Sequence, residues 1–539
     1  MKKGQEYIGI VEKVKFPNKG LIRVIAEGES ISADGEALAE KAVVQEEANE
    51  RCTIKNVIPG QKIKFRVTKK RSGACEGQTL KVISKSPDEI DSPCPHSDNC
   101  GGCVYQSLPY EKQLEIKETH IHELLEPVIE RGLRYRIGDF TDAEVGVDQE
   151  NTGEKVDIKL LFEPIKASPI NKGYRNKMEF SFGDCSLGGE LELGLHKSGS
   201  FYDIITVKNC QIVDDDYRKI LTETLSYFRG KETPYYHKRT HEGFLRFLIV
   251  RKAVKTGEIL IDLVTSSQQP KDTPCTEISL LEDWKNAILS LKLEGSIAGI
   301  LHTFDDGVAD AVANDFTEIL YGKDWFIEEV LGLKFKITPF SFFQTNTLSA
   351  EVLYDTVREY VSSTNREEKG TIFDLYSGTG TITQLMSTVA DKVIGVEIVE
   401  EAVEAAKENA ELNGLHNCVF IAGDVLKVID EIEDKPDFII LDPPRDGINP
   451  KALSKIIKYG VENIVYVSCK PTSLARDLEI LMAHGYVPKR ICPIDQFPGT
   501  VHVETCVLLS RGTCRRPDAK IKIDIDLDDY YAIKNRETK

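Results

Sequence analysis

From about residue 336 the chain alternates short apolar runs with helical stretches: TIFDLYS, KVIGVEI, CVFIAGD, DFIILDP, NIVYVSC and ETCVLLS. Strand-like runs separated by helices imply crossover connections, so this region is expected to form a mostly parallel, doubly wound α/β sheet of Rossmann-like form. Open sheets of that kind bind ligands outside the carboxyl ends of their strands. Residues 374–380, DLYSGTG, end one such run and open a helix, with glycines that let a ligand approach the backbone closely.

The rest of the chain has a different rhythm. At 539 residues, and with about 150 residues per domain, three or four units are expected. Residues 1–86 (YIGIVEKV, GLIRVIAEG, CTIKNVIPGQKIKFRV, TLKVISKS) alternate apolar and polar positions between glycines and prolines, the pattern of a small all-β barrel. Residues 87–335 combine expected strands (KMEFSFG, FLIVRKA, EILIDLVT, SIAGILHTF) with helical runs, giving a mixed α+β central unit with polar surface insertions at 138–158 and 266–275. The α/β unit covers 336–512, and 513–539 is a charged tail to which no function is assigned. No repeat of 20–50 residues exists, which excludes solenoids and propellers. No run of about 18 uncharged apolar residues and no apolar leader is present, so a soluble cytoplasmic protein is expected.

Charge and cysteine usage narrow the chemistry. The net charge of −18 excludes adhesion to nucleic acid through whole-molecule charge and leaves only local patches. One such patch holds Lys62, Lys64, Arg66, Lys69, Lys70 and Arg71 within ten residues, which fits either a solvated edge strand or a nucleic-acid surface. Thirteen cysteines without a leader favour metal binding or catalysis over a disulfide framework.

At the expected sheet edge, Tyr376, Gly378, Gly380 and Thr381 form the glycine turn, and Glu397 follows Gly380 by seventeen residues, near the spacing at which an acid accepts hydrogen bonds from ribose hydroxyls. Asp424 and Asp442 end the next strands, and Pro443 and Pro444 make a stiff turn after Asp442. The turn reads GTGTIT in place of the dinucleotide form GxGxxG, and resembles the S-adenosylmethionine site of Rossmann-like methyltransferases. Cys469 ends the fifth strand. A lone cysteine there is commonly a small buried hydrophobe, but beside a methyl donor, with Lys470 favouring the thiolate, it is a candidate nucleophile. Glu504 re-enters the same edge after His502 and is a candidate general base. Those roles suit uracil: C5 is a poor nucleophile until a thiolate adds at C6, and a base must then remove the C5 proton. Access to a ring in folded RNA requires the base to leave its stack.

FFQTN (342–346), DLYSGTG (374–380), LDPPR (441–445), VSCKP (467–471) and HVET (502–505) occur in the order typical of RNA uracil-5-methyltransferases, and the chain resembles that family across its catalytic third. The resemblance implies Cys469 as the nucleophile, Glu504 as the base, and Gln344, Tyr376, Glu397 and Asp442 as S-adenosylmethionine contacts, with Thr381 and Asp424 as neighbours. Lys470 stands where the family more often has Asn. Cys94, Cys100 and Cys103 lie on one glycine-containing loop and need a fourth ligand, for which Cys210 is the candidate; four thiolates suit zinc as well as an iron–sulfur centre. The spacing resembles the [4Fe-4S] motif of the ribosomal-RNA members, and the other cysteines are read as structural. Tyr174 to Phe180 is similar to the family's RNA-facing segment, which makes Arg175 and Lys177 phosphate-contact candidates. The N-terminal unit resembles a TRAM domain, an OB-like barrel that grips RNA, to which Lys62, Lys64 and Arg66 would contribute. Transfer-RNA members usually lack both features, so the resemblance implies 23S ribosomal RNA as substrate. Rival readings are a transfer-RNA methyltransferase, a non-catalytic RNA-binding protein and a cluster-based redox sensor.

Overall fold

The computed structural model describes residues 1–25, 51–71, 74–138, 157–268, 277–364 and 370–511. Most of the two polar insertions and the charged tail lie outside the described residues.

Strands β1 (Glu6–Lys15), β2 (Lys19–Val24), β3 (Arg51–Lys55), β4 (Lys62–Arg71) and β5 (Ala74–Ser84) close into a barrel with neighbour order β1-β2-β3-β5-β4. Alternation along β4 explains the closure: Ile63, Phe65 and Val67 point into the core with Val11, Ile22 and Cys52, while Lys64 and Arg66 face outward. Phe65 is fully buried, so the basic strand has no exposed ring at that position.

Helix α1 (Tyr110–Gly138) follows the cysteine loop. Its buried residues Ile121, Leu125, Val128 and Ile129 recur at helical spacing and form one stripe. The central sheet comprises β6 (Lys177–Asp184), β7 (Leu191–His196), β8 (Ile204–Thr206), β9 (Leu245–Lys252), β10 (Glu258–Thr265), β11 (Ser296–Phe304) and β12 (Phe316–Gly322), in the order β12-β11-β10-β9-β6-β7-β8. It is antiparallel except for the β10–β11 pair, whose connection contains a helix. Helices α2 (Asp215–Gly230) and α3 (Glu277–Leu289) share a core with this sheet through Tyr217, Leu221, Phe228 and Trp284. The hairpin β13 (Phe326–Val330) and β14 (Leu333–Ile337) spans the expected junction at 335 and 336 and packs on α4 (Thr347–Ser363), so this junction is a packed hairpin.

The C-terminal unit runs β15 (Thr371–Leu375), α5 (Thr381–Met386), β16 (Lys392–Glu397), α6 (Glu400–Leu412), β17 (Cys418–Ala422), α7 (Val425–Val428), β18 (Phe438–Leu441), α8 (Pro450–Lys458), β19 (Asn463–Ser468), α9 (Pro471–Ala483), β20 (Tyr486–Ile494) and β21 (Glu504–Arg511). The sheet order is β17-β16-β15-β18-β19-β21-β20. Strands β15 to β19 are parallel, as the alternation implies, and β21 and β20 are antiparallel. Strand β20, YVPKRICPI, escapes sequence reading because Pro488 and Pro493 break its apolar run; prolines are tolerated on this edge strand, which has an irregular register after Pro488. The α1 stripe is buried against this unit with Leu474, Leu478 and Tyr486, so a helix of the cysteine-bearing segment completes the core of the C-terminal unit. Among the described residues no helix is long and apolar enough to cross a membrane.

Candidate active site

The reversed direction of β21 brings its first residue to the edge where the parallel strands end. Ser468, the last residue of β19, pairs with Thr505, the second of β21, so Cys469 just beyond β19 lies beside Glu504, whose charge acts on its thiol. Both residues open into a groove of 1810 Å³, together with Asp442 at the end of β18, Glu397 at the end of β16, and Asp424 just beyond β17. That volume exceeds the range of about 300–1,000 Å³ usual for one small ligand.

Backbone geometry shapes one half of the groove. Tyr376 sits at φ +70° and Gly378 at φ +54°, where a Cβ on Gly378 would meet only Phe342 at 3.9 Å, leaving the turn open to the groove. The Gly378 amide donates to Glu397 Oε2 at 2.9 Å, while Oε1 accepts from the Ile398 and Val399 amides, so the carboxylate is held at the rim. Thr381 and Gln344 line the same space; Gln344 Oε1 accepts from Gln496 at 3.3 Å. Asp424 caps α7 by accepting from the Leu426 amide. Gly380, at φ +73°, is closely packed: a Cβ there would come within 2.6 Å of the Phe420 ring and 2.9 Å of Ala406. It builds the turn by close packing.

Electrostatics mark the floor. Asp374 is fully buried, accepts from Thr383 Oγ1 at 2.6 Å, leaves its other oxygen unpartnered, and is pushed up to about 7 by burial. Burial, then the neighbouring Asp374, pushes Asp442 up to about 7 as well, and its carboxylate has no hydrogen-bond partner among the described residues. An unpartnered acid facing an open glycine turn fits a ligand rich in donors, such as the ammonium and ribose hydroxyls of S-adenosylmethionine.

Burial pushes the Cys469 thiol up to about 11, followed by the charges of Glu504 and Asp442, while Arg445 opposes them. The sequence-based expectation that Lys470 favours the thiolate is therefore corrected: Lys470 leads into α9 through its backbone, and the cation acting on the thiol is Arg445. Glu504 is pushed up to about 8 by burial and Asp442, again opposed by Arg445. His502 is pushed down to about 4 by burial, so its ring is neutral at pH 7. Arg445 and Phe342, 68% exposed at the groove, were visible only as letters of LDPPR and FFQTN.

The segment leading to Glu504 is braced from the N-terminal half. The buried Lys117 ammonium donates to Asp495 at 2.6 Å and to the Phe497 carbonyl at 3.0 Å. Tyr174 donates to the Pro498 carbonyl, the Gly499 amide to Gln113, and the Val104 and Tyr105 amides to the Gly499 carbonyl. A Cβ at Gly499 would lie 3.7 Å from Cys103 Sγ, so the cysteine loop touches this brace directly. None of this has a local sequence signal, because the partners are more than 300 residues apart.

Cys94, Cys100, Cys103 and Cys210 come together. All four are free thiols, and burial with their mutual charges pushes Cys103 up to about 12 and Cys210 up to about 11. Among the described residues no three His, Cys, Asp or Glu side chains are arranged to hold a single metal ion. Of the candidate RNA contacts, Arg175 and Lys177 line the groove, with Lys177 paired to Glu179 at 2.8 Å. On the barrel, Lys64 and Arg66 both bind Glu6, at 2.8 and 2.7 Å, and Lys62 is half-buried on the same strand.

The family model described as tRNA (Uracil-5-)-methyltransferase matches residues 317–512. The chain is 45% identical over 511 residues to an uncharacterized RNA methyltransferase of Clostridium tetani, covering 95% of this chain and 99% of the relative. It is 46% identical over 459 residues to another of Caldanaerobacter subterraneus subsp. tengcongensis, covering 85% and 93%. The crystal structure of Pyrococcus abyssi tRNA (uracil-54, C5)-methyltransferase with S-adenosyl-L-homocysteine shares the fold at a TM-score of 0.64 and 22% identity, over 93% of this chain and 100% of that one.

Proposed function

The chain belongs to the RNA uracil-5-methyltransferase family of S-adenosylmethionine-dependent enzymes, and from that premise we propose that it methylates C5 of a uridine in 23S ribosomal RNA through Cys469 and Glu504. The observation that carries this reading is the placement of Cys469 beside Glu504 at the groove edge shared with Asp442 and Glu397. Glu397, Asp442, Gln344 and the turn at Gly378 would hold S-adenosylmethionine, which when bound would supply the electrophilic methyl group and leave as S-adenosylhomocysteine.

The chain's own residues handle the ring and its protons. The thiol releases its proton to groove water, a loss that Arg445 favours and burial opposes. Cys469 Sγ then bonds to uracil C6, and the displaced electron pair makes C5 an enolate carbon able to take the methyl group. The Glu504 carboxylate next removes the C5 proton, the C5–C6 double bond re-forms, and the C6–S bond breaks to return the thiolate. With a pKa near 8, Glu504 is matched to removing a weakly acidic proton near neutral pH.

The N-terminal barrel is read as an OB-like TRAM unit, supported by its five strands and outward basic strand. The four converging thiols are read as ligands of a [4Fe-4S] cluster, whose contribution there is structural. Iron and acid-labile sulfide in anaerobically purified protein, lost in Cys210→Ser, are expected.

A second reading, transfer RNA as substrate, is favoured by the family's description and by the Pyrococcus abyssi enzyme, which aligns with 93% of this chain. An architecture of this extent is thus not confined to ribosomal-RNA enzymes. Methyl-labelled S-adenosylmethionine with separate pools of unmodified 23S ribosomal RNA and transfer RNA decides the matter. Label in 5-methyluridine of ribosomal RNA, lost in Cys469→Ala, supports the first reading; label in transfer RNA alone moves the assignment to the second.

A further inference from the structure

The β7–β8 hairpin serves two places. Leu195, in the middle of its three-pair ladder, lines the groove beside Gly102, and its connecting loop carries Phe201 and Tyr202, which are 61% and 46% exposed. Single exposed rings are ordinary, but these two meet edge to face with centroids 5.3 Å apart. Lys238 Nζ lies 5.3 Å from the Phe201 ring, and the Arg239 guanidinium lies 4.2 Å from that of Tyr202. Lys238 is paired to Asp310 at 2.6 Å, as is His196 at 3.2 Å. Arg239 is exposed and makes no ion pair among the described residues. Asp184 and Asp203 line the small cavity behind Tyr202.

The hairpin is fixed in place. The Gly101 amide donates to the His196 carbonyl, the Ser198 amide donates to Asn99 at 2.7 Å, and Cys100 bridges to Lys197. Two rings and an unpaired guanidinium are therefore held in water at a set distance along the chain from the groove wall, in a molecule whose net charge is −18. Preorganised rings with an adjacent cation suit unpaired nucleotides, since every base offers a π face and every phosphate a negative charge.

We propose that Phe201, Tyr202 and Arg239 form a stacking platform for an unpaired stretch of the substrate RNA that leads away from the target uridine. This rests on the reading of the groove as an RNA uracil site, and binding and catalysis are measured separately so that either can fail alone. The binding probe is a fluorescein-labelled single-stranded oligouridylate; the catalytic substrates are the unmodified 23S and transfer-RNA pools. In a Phe201→Ala/Tyr202→Ala double variant, oligouridylate binding is expected to weaken about tenfold or more. KM for the accepted RNA rises in parallel, with kcat at saturating RNA unchanged. Tyr202→Trp keeps the affinity, and oligouridylate quenches the introduced indole. Unchanged Kd and KM in the double variant, without quenching, overturn the platform. If the double variant melts at a lower temperature than the parent, the quenching measurement decides. Should the parent methylate neither RNA while binding and quenching behave as expected, the groove reading falls and the platform stands as an RNA-binding surface.

Discussion

Cys469 stands alone at the end of β19 in an open groove, whereas Cys94, Cys100, Cys103 and Cys210 face one another in packed backbone near α1. Burial pushes up the thiols of both Cys469, to about 11, and Cys103, to about 12. The direction is the same, so it does not separate a nucleophile from a ligand. The neighbours differ: at Cys469 the next influences are Glu504, Asp442 and Arg445, the proposed base and its electrostatic setting, while at Cys103 they include the other three thiols of the proposed cluster. The two regions are also joined, because the loop carrying Cys103 supports Gly499 and with it the approach to Glu504.

That contrast breaks most decisively at the nucleophile. Cys469→Ala is expected to lower kcat/KM for RNA by about 10⁴-fold or more while leaving iron content unchanged. Glu504→Gln should cost about 10²–10⁴-fold and accumulate RNA bound covalently to Cys469, read as a denaturation-resistant band, because addition and methylation precede the lost step. The same variant should stabilise the protein. Glu504 is raised from 4.5 to about 8, so below pH 4.5 it is protonated folded or unfolded and contributes no penalty. As pH rises from 4.5 to 8 the unfolded chain releases the proton first and stability falls. Glu504→Gln removes that loss, a gain of about 4–5 kcal/mol at pH 8.5 and none at pH 4, measurable by denaturant unfolding.

Cys210→Ser sharpens the other side of the comparison. Iron and sulfide should disappear and Tm should drop by about 5 °C, while methyl transfer falls about tenfold through the brace on Glu504, far less than in Cys469→Ala. In the parent, kcat/KM should rise with pH through an inflection near 8, and Glu504→Gln should remove that inflection. The smallest effect belongs to the barrel: Lys64→Ala with Arg66→Ala should weaken RNA binding a few-fold and lower its salt slope by about one, since Glu6 already neutralises part of their charge.

The sheet and its edge were legible because their signals are local. Apolar runs, a glycine turn and acids at strand ends are read within a few residues, and the structure places Cys469, Glu504, Asp442, Glu397 and Tyr376 around one groove. Strand β20 was hidden by its prolines, and the close packing of Gly380 on Phe420 joins residues forty positions apart. Lys470 seemed from sequence adjacency to act on the thiol, but the β18 turn brings Arg445 there instead. The brace of Lys117, Gln113 and Tyr174 on residues 495–499 depends on chain segments that only the fold brings together.

The most direct measurement uses anaerobically purified protein, S-adenosylmethionine and RNA in which uridines are replaced by 5-fluorouridine. Fluorine at C5 leaves Glu504 no proton to remove, so the methylated adduct cannot break down. The expected result is a stable protein–RNA complex whose nuclease and protease fragments carry a methylated 5-fluorouridine on Cys469. A complex mapping to any of Cys94, Cys100, Cys103 or Cys210, or none under conditions where the parent methylates ordinary RNA, would contradict the assignment of the nucleophile.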